Sequence, residues 1–299
     1  MEDVTVPVPG GGINVWHRSG SGTAGTAVLI HGLSGNSRWW SSVIEHLPGD
    51  LGVIALDVRG RAGSVEAPPP FDLKTIADDV ARSLDHLEVP RAVVAGYSMG
   101  AWVAAIFGAT QSDRVERIVL IDGGLPLPRD PDTDPDSFID AMVGPSLRRL
   151  EIEFASEESY FELWKSHPAL EKHWDDAMRP ALGHELAPKG GRFAVRANAE
   201  AIEVGAREIT VGAEANAAAS RLGVPAHLIV VERGTTDQPG GMIPLPTAED
   251  AATANPELTM QYLAGLNHYT LVLGSGAASV AAAITTPGGP SHKSAQITS

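Results

Sequence analysis

The chain has 299 residues, of which 43% are hydrophobic, and it contains no cysteine. This length is enough for one large domain with an insertion, and the lack of cysteine excludes disulfides and thiolate metal sites. The formal net charge of −15 argues against nucleic acid or an anionic membrane as a partner. We find no apolar run of roughly 18 residues and no signal-peptide pattern at Met1–Thr5, so we expect a cytoplasmic protein without a membrane span.

Short apolar runs alternate with helix-length segments along most of the chain. The first two runs predict a hairpin, with its turn at Pro9–Gly12. The later strands are predicted to end near the following residues: Ile30, Leu56, Ala95, Ile121, Val231 and Leu263. This alternation predicts an α/β protein with a mostly parallel twisted sheet flanked by helices.

The alternation breaks between Ile121 and His227. This gap of about 100 residues is too long for an ordinary connection between strands. It contains helix-like stretches at 137–150 and 157–164, so we expect residues 125–224 to form a separate unit inserted into a core of 1–124 and 225–285. A surface insertion far from any functional site is the alternative. Residues 286–299 are rich in proline, glycine and polar residues, and are predicted to be disordered.

The pentapeptide Gly96–Gly100 carries Ser98 at its centre. It follows an apolar run and precedes the Ala-rich stretch 101–106, so it predicts a strand, a sharp turn and a helix with the serine at the tip of the turn. Such a turn crowds its neighbours, and glycine two residues before and after the serine relieves that crowding. The pattern is typical of a nucleophile elbow, and an ordinary strand-to-helix loop is the alternative.

A serine hydroxyl needs a base to take its proton, and the base needs a carboxylate to orient it. His268 follows an apolar run near the C-terminus, and Asp237 follows the strand before it. The resulting order of Ser98, Asp237 and His268 suits a catalytic triad. Asp122, at the end of an earlier strand, and Glu232 are alternative acids.

Five motifs occur in order between about Val4 and Ile284. They are the His31-Gly32 loop, the Asp57-Val58-Arg59-Gly60 loop with Ser64, the elbow at Ser98, the Gly234–Asp237 loop, and Asn267-His268-Tyr269. With these motifs the chain resembles the α/β-hydrolase superfamily, in its capped esterase, lactonase and perhydrolase-like branch. One position departs from the family pattern, because Ala62 stands where the second loop usually has another glycine.

The resemblance implies a serine hydrolase that cleaves an ester or lactone of a small to medium, apolar substrate through an acyl-enzyme. Ser98 would be the nucleophile, His268 the base and Asp237 the acid, while the backbone N–H groups of Leu33 and Met99 would form the oxyanion hole. Residues 125–224 would be a helical cap over the serine. The resemblance implies a small-molecule substrate and neither a metal nor an organic cofactor.

The aromatic residues suggest which side chains contact the substrate. Five of them are candidate pocket residues, with an ordinary place in the core as the alternative: Trp39, Trp40, Tyr97, Trp164 and Trp174. Carbon–carbon bond hydrolysis and perhydrolysis stay open as alternative reactions, although Ala101 does not match the carbon–carbon hydrolases. A non-hydrolytic receptor or lyase on the same fold is the alternative from another class. The oligomeric state stays open, and His167 and His173 are too loosely spaced to form a metal site.

Overall fold

An eight-stranded sheet forms the centre of the protein. The computed structural model describes residues 1–21 and 24–286. The strands in these ranges are β1 (Glu2–Val8), β2 (Gly11–Arg18), β3 (Thr26–Ile30), β4 (Gly52–Leu56), β5 (Ala92–Tyr97), β6 (Val115–Ile121), β7 (Leu186–Lys189), β8 (Arg192–Val195), β9 (Ala226–Arg233) and β10 (Leu258–Asn267). The large sheet has the order β1-β2-β4-β3-β5-β6-β9-β10, and only the β1–β2 and β2–β4 pairs are antiparallel.

Helices cover both faces of this sheet, and others lie in the segment between β6 and β9. They are α1 (Ser41–Glu45), α2 (Leu73–His86), α3 (Met99–Thr110), α4 (Pro135–Leu150), α5 (Glu157–Lys165), α6 (Arg179–Gly183), α7 (Ala199–Val211), α8 (Ala213–Ala218), α9 (Leu245–Ala254), α10 (Thr270–Leu273) and α11 (Ala277–Thr285). Val28 and Ile30 pack into the core cluster that contains α2 and α3, whereas Ala27 and Leu29 pack into the cluster that contains α1 and α11. Successive side chains of a strand point to opposite faces, so both faces of β3 are buried.

The predicted fold class is confirmed. The central strands are continuous apolar runs because a parallel sheet covered on both faces has no solvated side. The predicted hairpin is β1–β2, and the predicted strand ends agree with the observed ends to within four residues. The prediction of disorder for residues 286–299 falls, apart from Thr286, outside the described residues.

The segment between β6 and β9 contains α4 to α8 and the small antiparallel sheet of β7 and β8. The sequence pattern of this segment predicts helices alone, whereas the structure has this hairpin as well. Its turn is Gly190-Gly191, and both glycines have positive φ, of 59° and 81°. Only glycine adopts that conformation readily, so a Gly-Gly pair is itself a hairpin signal. Helix α4 contains Pro145, which has no N–H to donate within the helix.

Hydrogen bonds fix the inserted segment to the strand ends of the core. Asn36 Nδ2 donates to the carbonyl oxygen of Ala181 at 2.8 Å, and His184 Nε2 donates to the buried carboxylate of Asp57 at 2.8 Å. The segment therefore covers the carboxyl ends of the strands, where ligands bind in parallel α/β sheets. None of the helices in the described ranges is long and apolar enough to span a bilayer.

Candidate active site

Ser98 lies between β5 and α3, with φ of 53° and ψ of −126°. This conformation is strained for a residue with a side chain. The chain passes so close to itself that a side-chain carbon at Gly96 would overlap the backbone of Gly100, and one at Gly100 would overlap the carbonyl group of Ile30. The two glycines of the pentapeptide thus permit the turn, as the sequence pattern predicted.

His268 is paired with Asp122. Its Nδ1 donates to Asp122 Oδ2 at 2.6 Å, across 146 residues of sequence, and both side chains are buried. Asp122 follows β6 directly and has a φ of 44°. Because a carboxylate only accepts hydrogen bonds, this contact puts the imidazole proton on Nδ1 and leaves Nε2 free to accept a proton.

The expectation that Asp237 orients His268 is wrong for this structure. Asp237 Oδ1 accepts a hydrogen bond from Asn267 Nδ2 at 3.0 Å and forms an ion pair with Arg233 Nε at 2.9 Å. The Asn267 hydrogen bond, followed by the Arg233 contacts, lowers the pKa of Asp237. Glu232, the other alternative, accepts instead from the backbone N–H of Gly265 at 2.7 Å.

Ser98 and His268 line one cavity of about 200 Å³. The Ser98 hydroxyl contacts Met242 Sδ at 3.8 Å, and within residues 1–21 and 24–286 no hydrogen bond joins Ser98 Oγ to the imidazole. Catalytic hydrogen bonds are often long without substrate and tighten when it binds. The cavity therefore holds the serine and a histidine whose free nitrogen suits a base.

The two predicted oxyanion donors belong to Met99, which follows Ser98 in the chain, and to Leu33, which lines the same cavity as Ser98. Leu33 lines the cavity, and a side-chain carbon at the preceding Gly32 would lie only 3.4 Å from Ser98 Oγ. Met99 begins α3, so its N–H has no partner inside the helix, although its buried side chain is not part of the cavity wall. The role of these two backbone N–H groups in an oxyanion hole stays a prediction.

Arg61 is not among the site residues predicted from the sequence. Its buried guanidinium donates from Nε to the carbonyl oxygen of Leu33 at 2.9 Å and from Nη2 to that of Ala201 in α7 at 2.8 Å. Burial lowers the pKa of Arg61 to about 9. Arginine is seldom fully buried, so the sequence gives no reason to expect Arg61 in the interior. The tertiary contacts show that Arg61 ties the Leu33 peptide to the inserted segment.

Two of the five aromatic candidates reach the cavity. Trp39 and Tyr97 line it, and the Tyr97 hydroxyl donates to the backbone carbonyl of His268 at 3.0 Å. The other three lie outside the cavity wall, contrary to the prediction that they contact the substrate. Trp40 is buried in the core, Trp164 packs behind Trp39 with ring centroids 6.1 Å apart, and Trp174 packs on Phe161 in the inserted segment.

The inserted segment closes the cavity with α4, α7 and the loop after α5. The contributing residues are Ala141, Met142, Pro145, Ser146, His167 and Ile209. Within the described residues, no Asp, Glu, Lys or Arg side chain lines the cavity, and no cluster of three or more His, Asp or Glu has the arrangement of a metal site. The site can therefore offer hydrogen bonds and apolar contact to a compact, uncharged molecule.

Comparison with known proteins agrees with this fold. A segment of the chain is 34% identical over 106 residues to the soluble epoxide hydrolase of Corynebacterium sp. (strain C12), covering 36% of this chain and 37% of the relative. The chain thus matches little more than a third of that relative's length. Among solved structures, E-2-(acetamidomethylene)succinate hydrolase superposes with a TM-score of 0.75 at 20% identity, covering 91% of this chain and 94% of the other.

A thioesterase domain from the curacin biosynthetic pathway superposes with a TM-score of 0.71 at 16% identity, covering 96% of this chain and 99% of the other. At such identities the two superpositions establish the fold alone. Residues 27–183, just over half of the chain, match the family described as the alpha/beta hydrolase fold. Together with the sheet order and the elbow at Ser98, this match identifies the chain as a member of the alpha/beta hydrolase family.

Proposed function

We propose that the protein is a serine hydrolase that cleaves a carboxylic ester or lactone of a compact, uncharged substrate through an acyl-enzyme. Ser98 is the nucleophile, His268 the general base and Asp122 the carboxylate that orients the imidazole. The backbone N–H groups of Leu33 and Met99 stabilise the oxyanion.

The reaction runs in two halves. His268 Nε2 takes the proton of Ser98 as Oγ bonds to the carbonyl carbon, and Asp122 stabilises the imidazolium that forms. The C–O bond of the ester then breaks, and the alcohol leaves with the proton held by His268. In the second half, a water molecule gives its proton to His268 and bonds to the acyl carbon; the bond to Ser98 breaks, and the serine regains its proton as the acid leaves.

The observation that carries this proposal is the hydrogen bond of 2.6 Å between His268 and Asp122, in the same cavity as a serine in the strained elbow conformation. A structural histidine would not need a carboxylate partner at a cavity shared with a strained serine. The uncharged lining supports an uncharged substrate, because a charged group that loses its hydration needs a partner of opposite charge.

Covalent labelling tests the nucleophile. A fluorophosphonate should label the protein at Ser98, because an activated hydroxyl attacks phosphorus as it attacks a carbonyl. Peptide mapping after labelling identifies the residue, and the Ser98→Ala variant should carry no label. Labelling of undiminished extent in Ser98→Ala would exclude Ser98 as the nucleophile.

Hydrolysis of p-nitrophenyl acetate, butyrate and octanoate tests the reaction type. We expect turnover of the shorter esters that is lost in Ser98→Ala. Labelling of Ser98 without turnover of any ester would favour carbon–carbon bond hydrolysis or a lyase, whereas neither labelling nor turnover would favour a receptor.

A further inference from the structure

His167 is a second histidine in the wall of the active-site cavity. It comes from the inserted segment, in the loop that follows α5, and it is half-buried between two aromatic rings. Its ring centroid lies 5.7 Å from that of Trp164 and 5.0 Å from that of Tyr269. The imidazole is therefore held in a fixed plane at the cavity wall.

Hydrogen bonds define which nitrogen of His167 carries the proton. The backbone N–H of Ala169 donates to His167 Nδ1 at 3.3 Å, so Nδ1 is an acceptor and the proton of the neutral ring is on Nε2. Burial, together with repulsion from Arg149, lowers the pKa of His167, and this favours the neutral ring. Within the described part of the chain, Nε2 has no protein partner.

The loop that holds His167 is tied to the loop that carries His268. Asn267 Nδ2 donates to the carbonyl oxygen of Ala169 at 2.8 Å, and Asn267 Oδ1 accepts from the backbone N–H of Tyr269 at 3.1 Å. The position of His167 is thus set relative to the histidine of the triad. A free N–H donor held at a fixed place in a reaction cavity is suited to recognise an acceptor on the substrate.

We propose that His167 Nε2–H binds an uncharged oxygen acceptor of the substrate, such as a ketone or ether oxygen, a few atoms from the carbonyl that Ser98 attacks. This inference rests on the proposed function and names the substrate class more closely. The cavity of about 200 Å³ is smaller than the roughly 300 to 1,000 Å³ of sites for drug-sized ligands. No cationic side chain among the described lining residues would pair with a carboxylate, so the acceptor is neutral.

Matched esters test this assignment. On the acyl side, p-nitrophenyl 4-oxopentanoate is compared with p-nitrophenyl pentanoate; on the alcohol side, 2-methoxyethyl butyrate is compared with butyl butyrate. The protein should prefer the oxygen-bearing member of at least one pair by about tenfold in kcat/KM. This ratio corresponds to the upper end of the free energy that one neutral hydrogen bond usually contributes.

The variant His167→Phe keeps a ring between Trp164 and Tyr269 but removes the donor. It should lose the preference while Ser98 can still be labelled by fluorophosphonate and the thermal unfolding stays close to that of the parent protein. His167→Gln keeps an N–H donor and should restore part of the preference. A merely structural role would instead lower the activity on both members of a pair equally.

The outcomes separate this inference from the proposed function. If the protein hydrolyses both members of each pair and the ratio is the same in His167→Phe, the role of His167 is overturned while the esterase proposal stands. If the protein hydrolyses none of the four esters and Ser98 is not labelled, the proposed function itself fails.

Discussion

Asp122 and Asp237 both follow strands and both have a positive φ, of 44° and 61°. Their surroundings differ in one decisive respect. Asp122 is fully buried with the His268 imidazole at 2.6 Å, whereas Asp237 is partly exposed and is already neutralised by Arg233. A carboxylate whose charge is balanced by a neighbouring arginine stabilises a distant imidazolium less.

Replacement of each aspartate by asparagine should therefore have opposite consequences. Asp122→Asn should lower kcat by on the order of 10⁴, because the asparagine amide donates to Nδ1 and forces the proton onto Nε2. Asp237→Asn, the matched control, should change kcat by less than about tenfold, as expected for a partly exposed ion pair. Ester hydrolysis and the rate of fluorophosphonate labelling measure both effects. Equal losses in the two variants would contradict the assignment of Asp122.

At the scale of elements, α4 forms the roof of the cavity and α5 lies behind it. Helix α4 presents a single face to the site, because its cavity-lining residues are spaced by one, three and four positions. These residues are Ala141, Met142, Pro145 and Ser146. Trp164 of α5 is separated from the cavity by Trp39 and Tyr269. We therefore expect α4 to limit the size of the substrate.

Shortening a side chain of α4 should widen the range of acyl chains. Met142→Ala should raise kcat/KM for p-nitrophenyl octanoate relative to butyrate by roughly tenfold, because even one methylene in an apolar pocket changes binding by about 1–3 kcal/mol. Trp174→Ala, outside the cavity wall, should leave the ranking of esters unchanged. A chain-length series of esters measures both, and a shifted ranking in Trp174→Ala alone would show that the roof has been misassigned.

The sequence predicted those elements whose local pattern determines them. A strand such as β4, with five consecutive buried residues, is stable only in a sheet that is covered on both faces. Gly96 is dictated by backbone overlap with Gly100, a few residues away, whereas the requirement at Gly100 comes from the carbonyl group of Ile30 on the neighbouring strand β3. The partner of His268 is different, since the β10 loop can reach towards the end of either β6 or β9, and this choice depends on tertiary packing.

Arg233, four residues before Asp237, was the local signal that could have favoured Asp122.

The tryptophans were mispredicted for a related reason. A large aromatic side chain suits the core as well as a pocket, and composition alone does not distinguish the two. The side chains that α4 contributes to the cavity wall are small or medium in size, and they carry no comparable signal in the sequence.

For the whole molecule, His31 couples stability to pH. Its Nδ1 donates to the carbonyl oxygen of Gly32 at 2.7 Å, and its Nε2 accepts from the backbone N–H of Val58 at 3.0 Å. Burial lowers the pKa of His31 to about 4. The charge of Asp57 raises this pKa, whereas the charges of Arg61 and His184 lower it further. Protonation of Nε2 would remove the bond to Val58.

The folded pKa lies below the unfolded value of 6.5, so the unfolded state binds more protons between about pH 6.5 and 4. Stability should therefore fall through this window as the pH is lowered, by on the order of 3 kcal/mol from this residue. Urea unfolding at pH 7 and pH 5 should show a smaller loss for His31→Gln than for the parent protein. The exposed His46→Gln variant, as a control, should retain the parent slope. Identical slopes in all three proteins would exclude His31 as the source.

The long span of sequence between Asp122 and His268 has a consequence during synthesis. At about 5 to 20 residues per second, a ribosome needs roughly 7 to 30 seconds to add the 146 residues that separate them. Throughout that time a nascent chain can form the elbow at Ser98, but the base has not yet been made. Strand β10 lies at the edge of the sheet beside β9, so the base can be added last without opening any earlier strand pair. On the proposed function, Ser98 therefore has no general base until the residues of β10 and His268 have been added to the chain.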